Sequence, residues 1–218
     1  MKVLIIGDSY GLPRFAKNSE LVELSYEECY PERLRQYLRL AIKSDILLEN
    51  HCRHANVSLS LLRGEANEIM FLHPDYVVLQ LGLVDLWPSE GRSVLPLYSE
   101  LMGKNPWVSE DDFAFNIRRF VQFSLVSKSK VLLLDIPPVS SELMEIYPEV
   151  KKRIEQYNRR LYAICNTYEA VSLICLNELI VCLHEKKSIG SDGIHPTALA
   201  SELLAKKISH EIIKLEEN

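Results

Sequence analysis

Several features that would each have named a function class are missing from this sequence. Lys and Arg total 25 against 30 Asp and Glu, a net charge of −5. There is then no basic field of the kind a phosphate backbone attracts, and nucleic acid is not an expected partner. The cysteines, at 29, 52, 165, 175 and 182, are odd in number and contain no CxxC pair. That pattern fits buried packing thiols in a reducing compartment better than a disulfide framework. No apolar run approaches a membrane span, and Val3 to Ile6 after Lys2 is too short for a signal-peptide core. A cytoplasmic protein with no membrane partner is expected. Internal repeats and low-complexity tracts are absent as well.

What is present is a globular balance, 47% hydrophobic and 25% charged over 218 residues. One core can still grow at this length and a second would be cramped, so a single domain over 1–218 is expected. Apolar runs at Val3–Ile6, Ile46–Glu49, Tyr76–Leu81, Lys130–Ile136 and Val171–Leu176 read as strands. Helical spacing predicts helices over Pro31–Ile42, Ser58–Leu72, Asp111–Ser127, Glu149–Tyr168 and Thr197–Leu215. Such alternation specifies a parallel sheet with helices on both faces, a three-layer α/β sandwich. The one long irregular stretch, Leu86 to Glu110, carries Trp87, Tyr98 and Trp107. These aromatics fit a pocket wall and a small core of the loop's own equally well.

The first strand empties into Gly7-Asp8-Ser9-Tyr10-Gly11. A turn of this kind at the carboxyl end of a parallel strand can cradle a phosphate or hold a serine up as a nucleophile. The dinucleotide fingerprint fails, because Ser9 and Leu12 stand where glycines are needed, and the Gly-Lys-Ser/Thr of a P-loop is absent. The stretch does satisfy GxSxG, which makes Ser9 a candidate nucleophile. Its base is sought among six histidines. His195 stands out, three residues after Asp192 in Gly190-Ser191-Asp192-Gly193-Ile194-His195-Pro196. On a tight turn Asp192 can hold the imidazole Nδ1 proton while Nε2 faces Ser9. The bland alternative makes Asp192 a turn residue and His195 a surface side chain.

Taken together, Gly7-Asp8-Ser9 after the first strand, Gly82-Leu83-Val84-Asp85 after the third and Asp192-Gly193-Ile194-His195 before the last helix resemble the SGNH, or GDSL-type, hydrolases. Asp135-Ile136-Pro137-Pro138 adds to the likeness, which runs from residue 3 to about 210. The resemblance implies a flavodoxin-like sheet of order 2-1-3-4-5 and ester hydrolysis through an acyl-serine intermediate. By it Ser9 attacks, His195 carries the proton and Asp192 orients His195. It also implies an oxyanion hole made from the Ser9 N–H, a glycine N–H and an asparagine side chain.

Two of those positions depart from the family. Val84 replaces the asparagine and offers no donor. The glycine position falls at or near Ala55, within Asn50-His51-Cys52-Arg53-His54-Ala55-Asn56. Arg53 and Asn56 are candidate replacement donors, Gly82 and Asp85 complete the expected site, and Asp85 is expected to brace the loop. His51, Cys52 and His54 invite a metal reading, but no partner pair at zinc-like spacing exists elsewhere, so neither metal nor cofactor is expected. The sequence thus points to a serine esterase on small-molecule or carbohydrate acyl esters, O-acetyl sugars preferred. An acyl transferase, or an SGNH-fold binding protein of little turnover, is the alternative.

Overall fold

A computed structural model describes residues 1–87, 108–183 and 185–217. The chain opens with β1 (Lys2–Gly7), then the short strands β2 (Arg14–Phe15) and β3 (Val22–Leu24), helix α1 (Tyr30–Ala41) and strand β4 (Leu47–Cys52). Next come α2 (Ala66–Leu72), β5 (Tyr76–Gln80), the single turn α3 (Leu83–Leu86) and α4 (Glu110–Val126). Strand β6 (Lys130–Leu134), helices α5 (Ser141–Ile146) and α6 (Pro148–Cys165), and strand β7 (Val171–Ile174) follow. Helices α7 (Leu176–Leu183), α8 (Glu185–Ser188) and α9 (Ala198–Glu217) close the fold.

The sheet has the order β4-β1-β5-β6-β7, all pairs parallel. Counted in chain order these strands run 2-1-3-4-5, the expected flavodoxin-like arrangement. The apolar runs owe their continuity to burial on both faces. Leu4, Ile6, Val77, Leu79, Val131 and Leu133 pack against Ile69 of α2, Phe113, Ile117 and Phe120 of α4, and Leu161 of α6. Their neighbours Val3, Ile5, Val78, Leu132 and Leu134 point the other way, onto Leu34 and Leu38 of α1 and Leu204, Ile208 and Ile212 of α9. Strand order reverses at β1, so its carboxyl end opens onto the crevice where α/β sheets bind ligands.

Several boundaries move. The second strand of the sheet starts at Leu47 and runs to Cys52, beyond the expected end at Glu49. β4 is an edge strand with half-exposed side chains, so polar residues fit there. The expected helix over 58–72 is interrupted by a π-turn at Leu61–Glu65 containing Gly64. Helix α6 ends at Cys165 and β7 at Ile174, with Leu176 already starting α7. The hairpin β2–β3, α5, α7 and α8 were not foreseen. Helix α4 begins as its acidic residues predict, with Ser109 Oγ accepting from Asp112 N at 3.1 Å.

Cys29 and Cys52 are buried, Cys165 and Cys175 half-buried, and all four are free thiols; the Cys182 side chain lies outside the described residues. Trp87 is buried with its ring edge-on to Tyr147 at 5.6 Å, whereas Tyr98 and Trp107 lie outside the described residues. Among the described residues, no helix is long and apolar enough to cross a membrane.

Candidate active site

Ser9 opens a short 3-10 turn, Ser9–Gly11, directly after β1. Asp8 caps it, accepting from Tyr10 N at 2.9 Å, and Asp8 N donates to Gln80 O at 3.2 Å. The Asp8 carboxylate is 3% exposed with Gln80 Nε2 3.4 Å away. Burial pushes its carboxyl up to about 6, against the pull of the Tyr10 backbone bond and the nearby His195. The glycines on either side are required by crowding. A Cβ on Gly7 would sit 2.8 Å from Cys52 Sγ, and one on Gly11 would sit 2.5 Å from the same sulfur. Cys52, expected to be a packing residue, is the side chain that fills this turn from β4.

The base arrives from a turn 186 residues later. His195 Nε2 is 2.7 Å from Ser9 Oγ, and His195 Nδ1 is 2.5 Å from Asp192 Oδ2. The other Asp192 oxygen accepts from the Ile194 and His195 N–H groups at 2.9 and 3.0 Å. This Asx-type turn explains how a three-residue spacing aligns the pair. Gly193, at φ +78°, supplies the left-handed residue, and its N–H donates to Gly190 O at 3.0 Å. Burial would raise the Asp192 carboxyl, but hydrogen bonds and charge from His195 outweigh it and hold the group well below the usual carboxylate range. Ser9, His195 and Asp192 thus form one continuous chain of the kind that activates a hydroxyl.

The expected oxyanion residues divide. Ala55 adopts φ +58°, the left-handed conformation natural to glycine and strained for alanine by about 1 kcal/mol. Gly82 takes φ +127°, and a Cβ there would collide with Ile136 Cδ1. Val84 is half-buried on α3. Asn56 is tied to β1. Its amide Nδ2 donates to Gly7 O at 3.1 Å and its Oδ1 accepts from Ser60 Oγ at 2.6 Å, so it anchors the 53–57 loop to β1. Arg53 likewise bonds Gly7 O through its backbone N–H, while its guanidinium stands 3.3 Å from Glu65. Asp85, fully buried, accepts from Ser58 N at 3.0 Å and Ser58 Oγ at 2.7 Å, which braces the same loop.

His51, Cys52 and His54 do not converge. His51 Nδ1 lies 4.0 Å from buried Glu65, whereas Cys52 faces Tyr30 and the Ser9 turn. No group of three or more His, Cys, Asp or Glu able to hold a metal ion occurs among the described residues. The sequence reading missed Arg14 and Glu23 of the hairpin, both of which touch the His195 turn. More than 160 residues separate them from that turn, and no local signal could have found them.

No protein-family model and no curated protein matches the chain. Solved structures do. A lipase/acylhydrolase from Enterococcus faecalis superposes with a TM-score of 0.72 at 17% identity, covering 97% of this chain and 94% of that one. A catalytic mutant of Axe2, an acetylxylan esterase from Geobacillus stearothermophilus, gives 0.71 at 18% identity over 97% and 93% of the two chains. TesA gives 0.66 at 20% identity over 95% and 96%. At such identities the likeness is one of fold.

Proposed function

We propose that this chain is a serine ester hydrolase of the SGNH type, a single cytoplasmic domain working through an acyl-serine intermediate. The observation that carries the reading is the Ser9–His195–Asp192 chain, with links of 2.7 and 2.5 Å at the carboxyl end of β1. In the first half-reaction Ser9 Oγ attacks the ester carbonyl as its proton passes to His195 Nε2. The tetrahedral adduct then collapses, and His195 returns that proton to the departing alkoxide. A water attacks the acyl-serine in the same way, giving the carboxylic acid and free Ser9. Asp192 holds the imidazole Nδ1 proton throughout and offsets the charge of the imidazolium.

The Ser9 N–H and the Ala55 N–H are the oxyanion donors in this reading, supported by the glycine-like conformation of Ala55. Val84 brings no side-chain donor to the third position. Losing one donor costs on the order of 3 kcal/mol, so turnover on simple esters should be slow and not absent. Small acyl esters, O-acetyl groups on carbohydrates foremost, are the proposed substrates; the acetylxylan esterase among the fold neighbours supports that choice. Acyl transfer, with an alcohol in place of water, uses the same steps.

The test is hydrolysis of p-nitrophenyl acetate and longer acyl esters by the wild type beside Ser9→Ala and His195→Ala. A loss of roughly 10⁴-fold or more is expected in both variants. Because the Val84 side chain offers no donor, the second reading is a binding protein of little turnover. Equal rates in all three proteins would overturn the hydrolase in its favour.

A further inference from the structure

The hairpin β2–β3 lies outside the five-stranded sheet, yet its charged side chains grip the base turn at several points. Arg14 Nη2 donates to Pro196 O at 2.5 Å, and Arg14 Nε is 3.0 Å from Glu23 Oε2 and 3.9 Å from Asp192 Oδ2. Glu23 Oε1 accepts from the Ser191 N–H at 2.6 Å. Lys17 N donates to Ser191 Oγ at 2.9 Å. The turn is thus held on both sides of the Asp192–His195 pair. A Cβ on Gly190 would meet Arg14 Nη2 and Glu23, so the turn leaves out a side chain where the two approach.

Arg14 is half-buried, its side chain 11% exposed, and its Nη1 makes no hydrogen bond. A half-buried cation with an unmet donor is a poor way to gain stability, since a neutral chain of similar length would avoid that penalty. Its charge and its fork of donors therefore call for another explanation, and the nearest reacting group is the Asp192–His195 pair.

We propose that Arg14, seated by Glu23, is a positioning residue of the triad: it sets the Ser191–Pro196 turn, and with it His195, over Ser9. The inference rests on the hydrolase reading above. Among the described residues, the titratable and charged groups facing the Asp192–His195 pair are Asp8 and Tyr10 from the turn after β1 and Arg14 and Glu23 from the hairpin.

The experiment is the second-order rate of fluorophosphonate labelling from pH 5 to 9 for the wild type, Ser9→Ala, Arg14→Met, Arg14→Lys and Glu23→Gln. Wild-type labelling that vanishes in Ser9→Ala upholds the hydrolase reading; its absence sinks that reading and the inference with it. Arg14→Met is expected to slow labelling by about ten- to a hundredfold. Arg14→Lys keeps a cationic donor for Pro196 O, so its rate should fall less. A wild-type rate in Arg14→Met overturns the inference. Should that variant not fold, unchanged rates in both Arg14→Lys and Glu23→Gln overturn it equally.

Discussion

Asp8 and Asp192 flank the proposed reaction centre from opposite turns, and their surroundings pull them in opposite directions. Each accepts backbone N–H bonds; Asp8 is buried and Asp192 half-buried. At Asp8 desolvation prevails, and the carboxyl rises from 3.8 to about 6. At Asp192 the bonds and charge of His195 prevail, and the group is lowered. Their effects on stability follow with opposite sign. Folded Asp8 holds its proton more tightly than the unfolded chain does, so stability falls as pH rises from about 4 to about 6, and that loss persists above. Asp192 contributes stability that is full above the ordinary carboxylate range and disappears as pH falls below it. The nucleophile turn is built for shape at an electrostatic penalty, whereas the base turn is built around charge.

The largest effect that would break this comparison is catalytic. Asp192→Asn should lower kcat/KM on a p-nitrophenyl ester by roughly 10⁴-fold, the effect such a change has in serine hydrolases, and should also lower the urea midpoint at neutral pH, where the carboxylate's contribution is full. An asparagine oxygen can still accept from the Ile194 and His195 N–H groups that Asp192 Oδ1 now holds. A loss under tenfold would show that His195 is aligned without its acid.

On the nucleophile side stability should suffer first. Gly11→Ala drives a methyl to 2.5 Å from Cys52 Sγ and 3.1 Å from Tyr30 Cε1, for an expected loss of about 2–3 kcal/mol in urea unfolding. Combining it with Cys52→Ala should recover at least about 1 kcal/mol of coupling. Simple additivity of the two changes would refute the crowding account.

Asp8→Asn sharpens the electrostatic half of the comparison, because asparagine caps as well as aspartate but cannot ionise. At pH 8 the variant should be more stable by on the order of 2 kcal/mol. That gap should close as pH falls through about 6 and be gone near 4. A gap independent of pH would mean that Asp8 is not the group responsible. The smallest effect is at Ala55, where relief of the left-handed φ opposes glycine's added entropy in the unfolded chain. Ala55→Gly should leave stability equal or higher by at most about 1 kcal/mol, and a clear loss would argue against glycine-like strain there.

Much of the fold was legible because its signals are local. Parallel strands covered on both faces must be apolar throughout, and Tyr76–Gln80 and Lys130–Leu134 announce themselves for that reason. Asp192 and His195 could be paired from their spacing, since one Asx turn aligns them. The hairpin at Arg14–Phe15 and Val22–Leu24 could not be read, having two or three residues per strand and mostly exposed side chains. Leu176–Leu183 was hidden for another reason: it follows an apolar strand after a single residue, so the apolar run carries no break.

The sequence by itself determined the alternation of strands and helices, the three-layer architecture and which serine, aspartate and histidine are candidates for chemistry. Periodicity and short-range turn chemistry act within a few residues and leave their mark there. Tertiary structure alone decided that Asn56 ties the 53–57 loop to β1, that Cys52 fills the turn beneath Ser9, and that Arg14 and Glu23 grip the base turn. Each of these joins residues about 40 or more positions apart, where the outcome depends on which surfaces packing brings together. No residue's own propensity contains that information.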